Sequence, residues 1–219
     1  MRILCLHGMG TNTKILAAQT AGIRTALSNT FSATFEFIEG ALDWRPAPGI
    51  TALAGPGAAF FAYYDTEQPS TILQAVDDLA EYVETEGPFD GVLAFSQGAA
   101  LASMLMARDM FPPPFQFCIF ICGGPPFSEK TIKEEHRLRY CDKDIDSHGK
   151  PIISVSTIHL VGEQDVDLAE CLKLANICRE DVREVFRHPG GHEIPSSPLV
   201  TQKMVEIIER GIEKALRSP

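Results

Sequence analysis

Several features are missing from this chain, and each absence narrows what it can be. No apolar run reaches the ~18 residues needed to span a bilayer, and the apolar start, Ile3-Leu4-Cys5-Leu6, is too short for a signal peptide. A cytoplasmic chain with no membrane partner is the expectation. Positive charge is scarce: 19 Lys and Arg face 29 Asp and Glu, a net charge of −10. That balance argues against nucleic acid as a partner. Six cysteines occur without a Cys-x-x-Cys spacing, so neither a zinc ribbon nor a thioredoxin-type site is indicated. Cys5, Cys118 and Cys122 lie in apolar runs, where a thiol behaves as a small core hydrophobe. There is one tryptophan, Trp44, and no internal repeat or low-complexity tract. At 219 residues the chain reads as one domain, 1–219.

What is present is alternation. Apolar runs at 2–7, 34–38, 91–95, 115–122, 154–161 and 182–187 read as strands. Between or after them, 15–27, 69–86, 97–110, 168–177 and 199–216 have helical spacing. Strands and helices in this rhythm predict an α/β fold: a doubly wound, mainly parallel sheet of about six strands with helices on both faces. Active residues of such sheets gather beyond the carboxyl ends of the strands. Two stretches break the rhythm, 43–66 and 123–151, and both follow strand ends. Long insertions on that face are commonly lids or binding loops. The first holds Trp44, several prolines and the cluster Phe60-Phe61-Ala62-Tyr63-Tyr64, whose rings need a dry place to pack. Trp44, Phe60 and Tyr64 are therefore candidate walls of an apolar substrate pocket.

The chemistry is carried by Ala94-Phe95-Ser96-Gln97-Gly98. A serine between a buried strand and a helix, with small residues two before and two after it, is the pattern of a nucleophile elbow. The sharp turn pushes Oγ out at the strand end and aims the next N–H where an oxyanion forms. A second Ser-x-Gly, at Ser147, lies in a polar stretch with no strand or helix attached and reads as an ordinary turn.

A serine nucleophile needs a base, and the base needs an orienting acid. In α/β-hydrolases these follow in the order serine, acid, histidine, each just beyond a strand. Asp165 follows the strand ending near Val161, and His192 lies on a glycine-loosened loop after the last strand. Asp167 and Glu163 are alternative acids, and His188 is an alternative base. His188 and His192 also have the i, i+4 spacing of a metal pair. That spacing needs a helix, and Pro189-Gly190-Gly191 excludes one, so no metal is expected. The oxyanion donors are expected to be the backbone N–H groups of Gln97 and of Met9, the latter in the turn His7-Gly8-Met9-Gly10.

These residues resemble the family of serine hydrolases, a compact α/β-hydrolase group with fungal and metazoan members. The resemblance rests on Leu6-His7-Gly8, Phe95-Ser96-Gln97-Gly98-Ala99-Ala100, His159-Leu160-Val161-Gly162-Glu163-Gln164-Asp165 and His188-Pro189-Gly190-Gly191-His192-Glu193-Ile194-Pro195. It covers nearly the whole chain. It implies a cofactor-free hydrolase with Ser96, Asp165 and His192 as its triad. Fungal members include thioesterases that release polyketides from synthases, so an ester or thioester substrate, carrier-bound in the second case, is the expectation. A general short-chain carboxylesterase and a non-catalytic hydrolase-fold binding protein are the alternatives.

Overall fold

The computed structural model describes every residue except 109, 111, 142–150 and 218–219. Ser147, and Lys143 of the basic residues between 130 and 143, lie outside the described residues. In chain order the elements are β1 (Arg2–Leu6), α1 (Thr13–Gln19), α2 (Ala21–Phe31), β2 (Thr34–Ile38), β3 (Leu42–Asp43), β4 (Phe61–Ala62), α3 (Pro69–Glu86), β5 (Gly91–Phe95) and α4 (Gln97–Met106). They continue with β6 (Phe117–Ile121), α5 (Glu129–Glu135), β7 (Ser156–Gly162), α6 (Leu168–Asn176), β8 (Arg183–His188) and α7 (Pro198–Arg217).

Six strands form one sheet in the order β2-β1-β5-β6-β7-β8, and every pair in it is parallel. Both faces are covered, as a parallel sheet requires. Successive side chains of a strand point to opposite faces, and the core divides accordingly. Leu4, Leu6, Val92, Ala94, Cys118 and Phe120 pack with Ile72, Val76, Leu79, Leu101 and Leu105 of α3 and α4. Ile3, Cys5, Leu93, Ile119, Ile158 and Leu160 pack on the other face with Leu16, Ile23 and Leu27 of α1 and α2 and Met204, Ile208 and Ile212 of α7. Among the described residues no helix is long and apolar enough to cross a membrane.

The structure departs from the sequence expectation in three places. The helix expected over 15–27 is two helices. Asn12 caps the first, its Oδ1 accepting from the Ile15 N–H. The hydroxyl of Thr20 then bonds back to the Leu16 carbonyl at 2.7 Å, and the chain turns there into α2. The segment 43–66 has a base of regular structure: β3 and β4 pair antiparallel as a two-stranded hairpin. Segment 123–151 contains α5, capped by Ser128, whose Oγ accepts from the Thr131 N–H at 3.3 Å.

Candidate active site

The turn after β5 carries Ser96 at φ 52°, ψ −116°, a conformation disfavoured for any residue with a side chain. The strain is held by the pairing of β5 between β1 and β6 and by α4, which starts at the next residue. Space around the turn is minimal. A Cβ on Gly98 would lie 2.6 Å from the His7 carbonyl oxygen, and one on Gly8 would lie 3.2 Å from the Ser96 Cβ. Glycine at both positions lets the turn after β1 press against the elbow. Ala94, where a glycine is usual, is a fully buried strand residue and needs only to be small.

Ser96 Oγ lies 2.8 Å from His192 Nε2, and His192 Nδ1 lies 2.9 Å from Asp165 Oδ2. The carboxylate accepts the Nδ1 proton, which leaves Nε2 free to accept from the serine hydroxyl. Asp165 is buried, and its other oxygen, Oδ1, accepts from the Asp167 N–H at 2.9 Å. Asp167 thus supplies a backbone donor to the acid, and Glu163 is exposed to solvent. His192 keeps a third of its side-chain surface open to solvent.

The acid turn and the histidine loop are laced together. The Glu163 N–H donates to the His188 carbonyl at 2.8 Å and the Gln164 N–H to the Gly190 carbonyl at 3.0 Å. The Gln164 side chain adds a bond to the Pro189 carbonyl at 2.8 Å. A Cβ on Gly162 would sit 2.1 Å from the Gly191 carbonyl oxygen, so only glycine permits this approach.

His188 does not join this constellation. It is fully buried at the end of β8, and both its ring nitrogens lack a partner among the described residues. Burial holds its pKa below the ordinary value, against the pull of Glu193, Asp165 and Glu163. Of the two histidines, it is His192 whose ring lies within hydrogen-bonding distance of Ser96 Oγ.

Three side chains that carry no signal of their own in the sequence lie against Asp165 or His192. The Phe95 ring is 5.4 Å from the His192 ring, centroid to centroid. Cys122, at φ 48°, sits beneath the loop with Sγ 3.7 Å from the Glu193 carbonyl oxygen. Burial, with Asp165 adding to it, pushes its thiol pKa far up, so it stays protonated. Cys171 lies 4.0 Å from Asp165 Oδ2, its pKa pushed up to about 12 by burial. Cys122, Asp165 and His192 offer potential metal ligands within 4.8 Å of one another. Asp165 and His192 already satisfy each other and the thiol holds its proton, so the set fits a triad with a thiol floor better than an ion site. Neither thiol carries a sequence signal; each looks like a core residue until the end of β6 and helix α6 bring it beside Asp165.

The expected oxyanion donors lie where the strand-end turns meet. Among the described residues no backbone carbonyl accepts from the N–H of Met9 or of Gln97. The Met9 side chain is exposed, so its part is confined to the backbone. The proposed pocket walls separate. Trp44 and Phe60 are half-buried in the loop of the β3–β4 hairpin, where the Trp44 N–H donates to the Phe60 carbonyl at 2.8 Å. Tyr64 is a correction: it is 3% exposed, packs edge-on against Phe127 and belongs to the core. Its ring joins the two insertions instead of lining an open cavity, because Phe127 and Tyr140 stack behind it at 5.0 Å.

Residues 1–204 match the family described as Serine hydrolase (FSH1). The chain is 43% identical to Esterase FPY3 of Fusarium mangiferae over 221 residues, covering 99% of each. It is 33% identical to Esterase FUS5 of Gibberella fujikuroi, over 94% of this chain and 85% of the relative. Among solved structures, SOBER1 of Arabidopsis thaliana superposes with a TM-score of 0.60 at 19% identity, covering 99% of this chain and all of that one. An enol-lactonase from Burkholderia xenovorans gives 0.62 at 13% identity, covering 97% and 91%. The solved structures share the α/β-hydrolase fold, and the sequence match decides the rest: the chain belongs to the Serine hydrolase (FSH1) family and is a serine hydrolase.

Proposed function

We propose that the enzyme cleaves an ester or thioester through an acyl-enzyme on Ser96. The observation that carries this is the continuous chain Ser96 Oγ, His192 Nε2, His192 Nδ1, Asp165 Oδ2, with links of 2.8 and 2.9 Å. His192 takes the serine proton as Oγ attacks the carbonyl carbon. Asp165 holds the ring and stabilises the imidazolium. The N–H groups of Gln97 and Met9 receive the oxyanion. His192 then returns the proton to the departing alkoxide or thiolate, and water, deprotonated by the same ring, clears the acyl group. A fluorophosphonate probe tests the reading. Wild-type chain should label and Ser96→Ala should not; folded wild-type chain that resists labelling would sink it.

We carry the reading one step further, to a thioesterase that releases an acyl or polyketide product from a carrier protein. The resemblance to fungal polyketide-releasing thioesterases supports this, and so does an aromatic insertion whose base is bonded to the Gln97 side chain through Tyr63 and Tyr64. Docking by charge has weaker support. Residues 130–143 hold Lys130, Lys133, Arg137, Arg139 and Lys143 against Glu134, Glu135 and Asp142, and Lys130, Lys133 and Arg139 lie within 4.0 Å of Glu134, Glu129 and Glu135. A general carboxylesterase is the second reading, favoured by the word esterase in the names of two relatives. Acyl thioesters of two to ten carbons on one carrier separate the two. Each methylene buried in a pocket is worth about 0.8 kcal/mol. Under the thioesterase reading kcat/KM climbs severalfold per carbon until the pocket is full, and Trp44→Ala or Phe60→Ala abolishes the climb. A flat or falling series favours the small-ester enzyme.

A further inference from the structure

Gln97 follows the nucleophile, and its backbone N–H is one expected oxyanion donor. Its side chain is occupied elsewhere. The carboxamide is buried, its Oε1 accepts from the Tyr63 N–H at 2.8 Å, and its Nε2 donates to the Tyr64 carbonyl at 2.8 Å. The amide thus grips two consecutive residues just beyond β4. Tyr63 reaches back in turn. Its phenol donates to the Ile38 carbonyl at 3.0 Å and accepts from the His7 N–H at 2.9 Å. His7 stands two residues before Met9, the other expected donor.

The His7 ring completes the arrangement. Nδ1 lies 2.7 Å from the Gly8 carbonyl oxygen, a contact that needs a proton on Nδ1 as the donor, while Nε2 faces the Gly40 N–H at 3.0 Å and the Glu39 carboxylate at 2.8 Å. In a trans peptide the C=O and N–H point in opposite directions. Fixing the Gly8 carbonyl therefore fixes the direction of the Met9 N–H. Backbone bonds from Gly10 N–H to the Phe61 carbonyl and from Phe61 N–H to the Thr11 carbonyl, both 2.8 Å, fasten the same turn to β4.

We infer that Tyr63 and Gln97 are positioning residues: they clamp the turn after β1 to the elbow after β5 and so set the spacing between the two oxyanion donors. The base of the 43–66 insertion then belongs to the hydrolytic machinery and is fixed, whatever the loop beyond it does. The inference rests on the Ser96 reading and adds to it the parts that hold its oxyanion site in register. A carboxamide used only for packing would affect stability. A clamp on two donors affects the transition state more than the bound substrate.

The test uses the full chain, a nitrophenyl ester, and the rate of fluorophosphonate labelling, since both reactions place negative charge on the same oxygen. Gln97→Glu at pH 8 should lower kcat and the labelling rate about 10- to 100-fold with KM within about threefold, because an ångström of misplacement costs on that order. The introduced carboxylate still accepts from the Tyr63 N–H but faces the Tyr64 carbonyl with a lone pair. As pH falls, the carboxyl regains a proton and can donate again, so the ratio of wild-type to variant kcat should narrow by pH 6. Taking the ratio removes the titration of His192, common to both proteins. Tyr63→Phe removes the acceptor for the His7 N–H and should lower kcat at unchanged KM without that pH-dependent recovery. Variants that melt earlier yet match wild-type kcat and labelling within about twofold would overturn the clamp. If Gln97→Glu does not fold, Tyr63→Phe decides alone. Wild-type chain that fails to label overturns the Ser96 reading instead, and the clamp with it.

Discussion

Ser96→Ala and His192→Ala should each lower kcat by at least about 10⁴-fold, because members of such a unit fail together. Asp165→Asn should cost somewhat less, since the acid orients the ring and stabilises its charge. His188→Ala should retain most of the activity, as its ring makes no bond to the serine or the acid among the described residues. Steady-state kinetics with melting curves check all four, and a His188→Ala loss equal to that of His192→Ala, with folding intact, would reverse the assignment of the base. That Ser96, Asp165 and His192 could meet was legible because each lies just beyond a strand, with a glycine within three residues of it, a local signal. The contacts of Tyr63, Phe95 and Cys122 were not. Their partners are 56, 97 and 71 residues away in sequence, at His7, His192 and Glu193. Only the strand order reveals such neighbours. Tyr64 misled for a related reason: an aromatic cluster in an insertion announces burial and leaves open whether a core or a ligand does the burying.

Elements were read well where periodicity had room to show itself. All six sheet strands lie within two residues of their expected bounds, and α3 begins and ends where its spacing says. The hairpin of β3 and β4 has two residues per strand, too few for a period of two to be seen. Segment 123–151 looked like a charged loop because α5 buries only Ile132 among its seven residues and is otherwise spaced by ion pairs. The lacing of β7's end to the histidine loop gives an element-scale prediction. Gly162→Ala places a methyl 2.1 Å from a carbonyl oxygen, so the two loops must part. Activity should fall by about 10²-fold while the far-ultraviolet dichroism stays unchanged; full activity would show that the loops adapt freely. Ile208→Ala in the middle of α7, fully buried against the sheet, should cost about 2–5 kcal/mol in urea unfolding and leave KM untouched.

At the scale of the whole molecule, buried histidines govern acid stability. His7, His159 and His188 all have pKa values lowered by burial, that of His159 to about 3. For His7 the nearby Glu39 carboxylate, 2.8 Å from Nε2, pulls the other way, but burial dominates. Unfolded chains bind these protons at a pKa of about 6.5, so the unfolded state holds more protons as pH falls. Stability is therefore complete above about 6.5 and declines below it. Each histidine adds a slope of up to about 1.4 kcal/mol per pH unit, continuing for His159 down to about pH 3. Urea midpoints at pH 7.5, 6 and 5 should fall in that order. His159→Asn should flatten the decline by one proton, whatever it does to the absolute stability.

The hydrogen bond between Ser96 and His192 closes a span of 96 residues, and the sheet between them is built from four adjacent strands, β5 to β8. In kinetic terms, catalytic competence is then a non-local contact of high order, and such contacts form slowly. A refolding chain can bury its helices early while its serine stays inert. Quenching refolding samples with a fluorophosphonate at successive times turns the nucleophile into a clock for β-sheet completion. Labelling should follow the slowest phase seen by Trp44 fluorescence and never precede it.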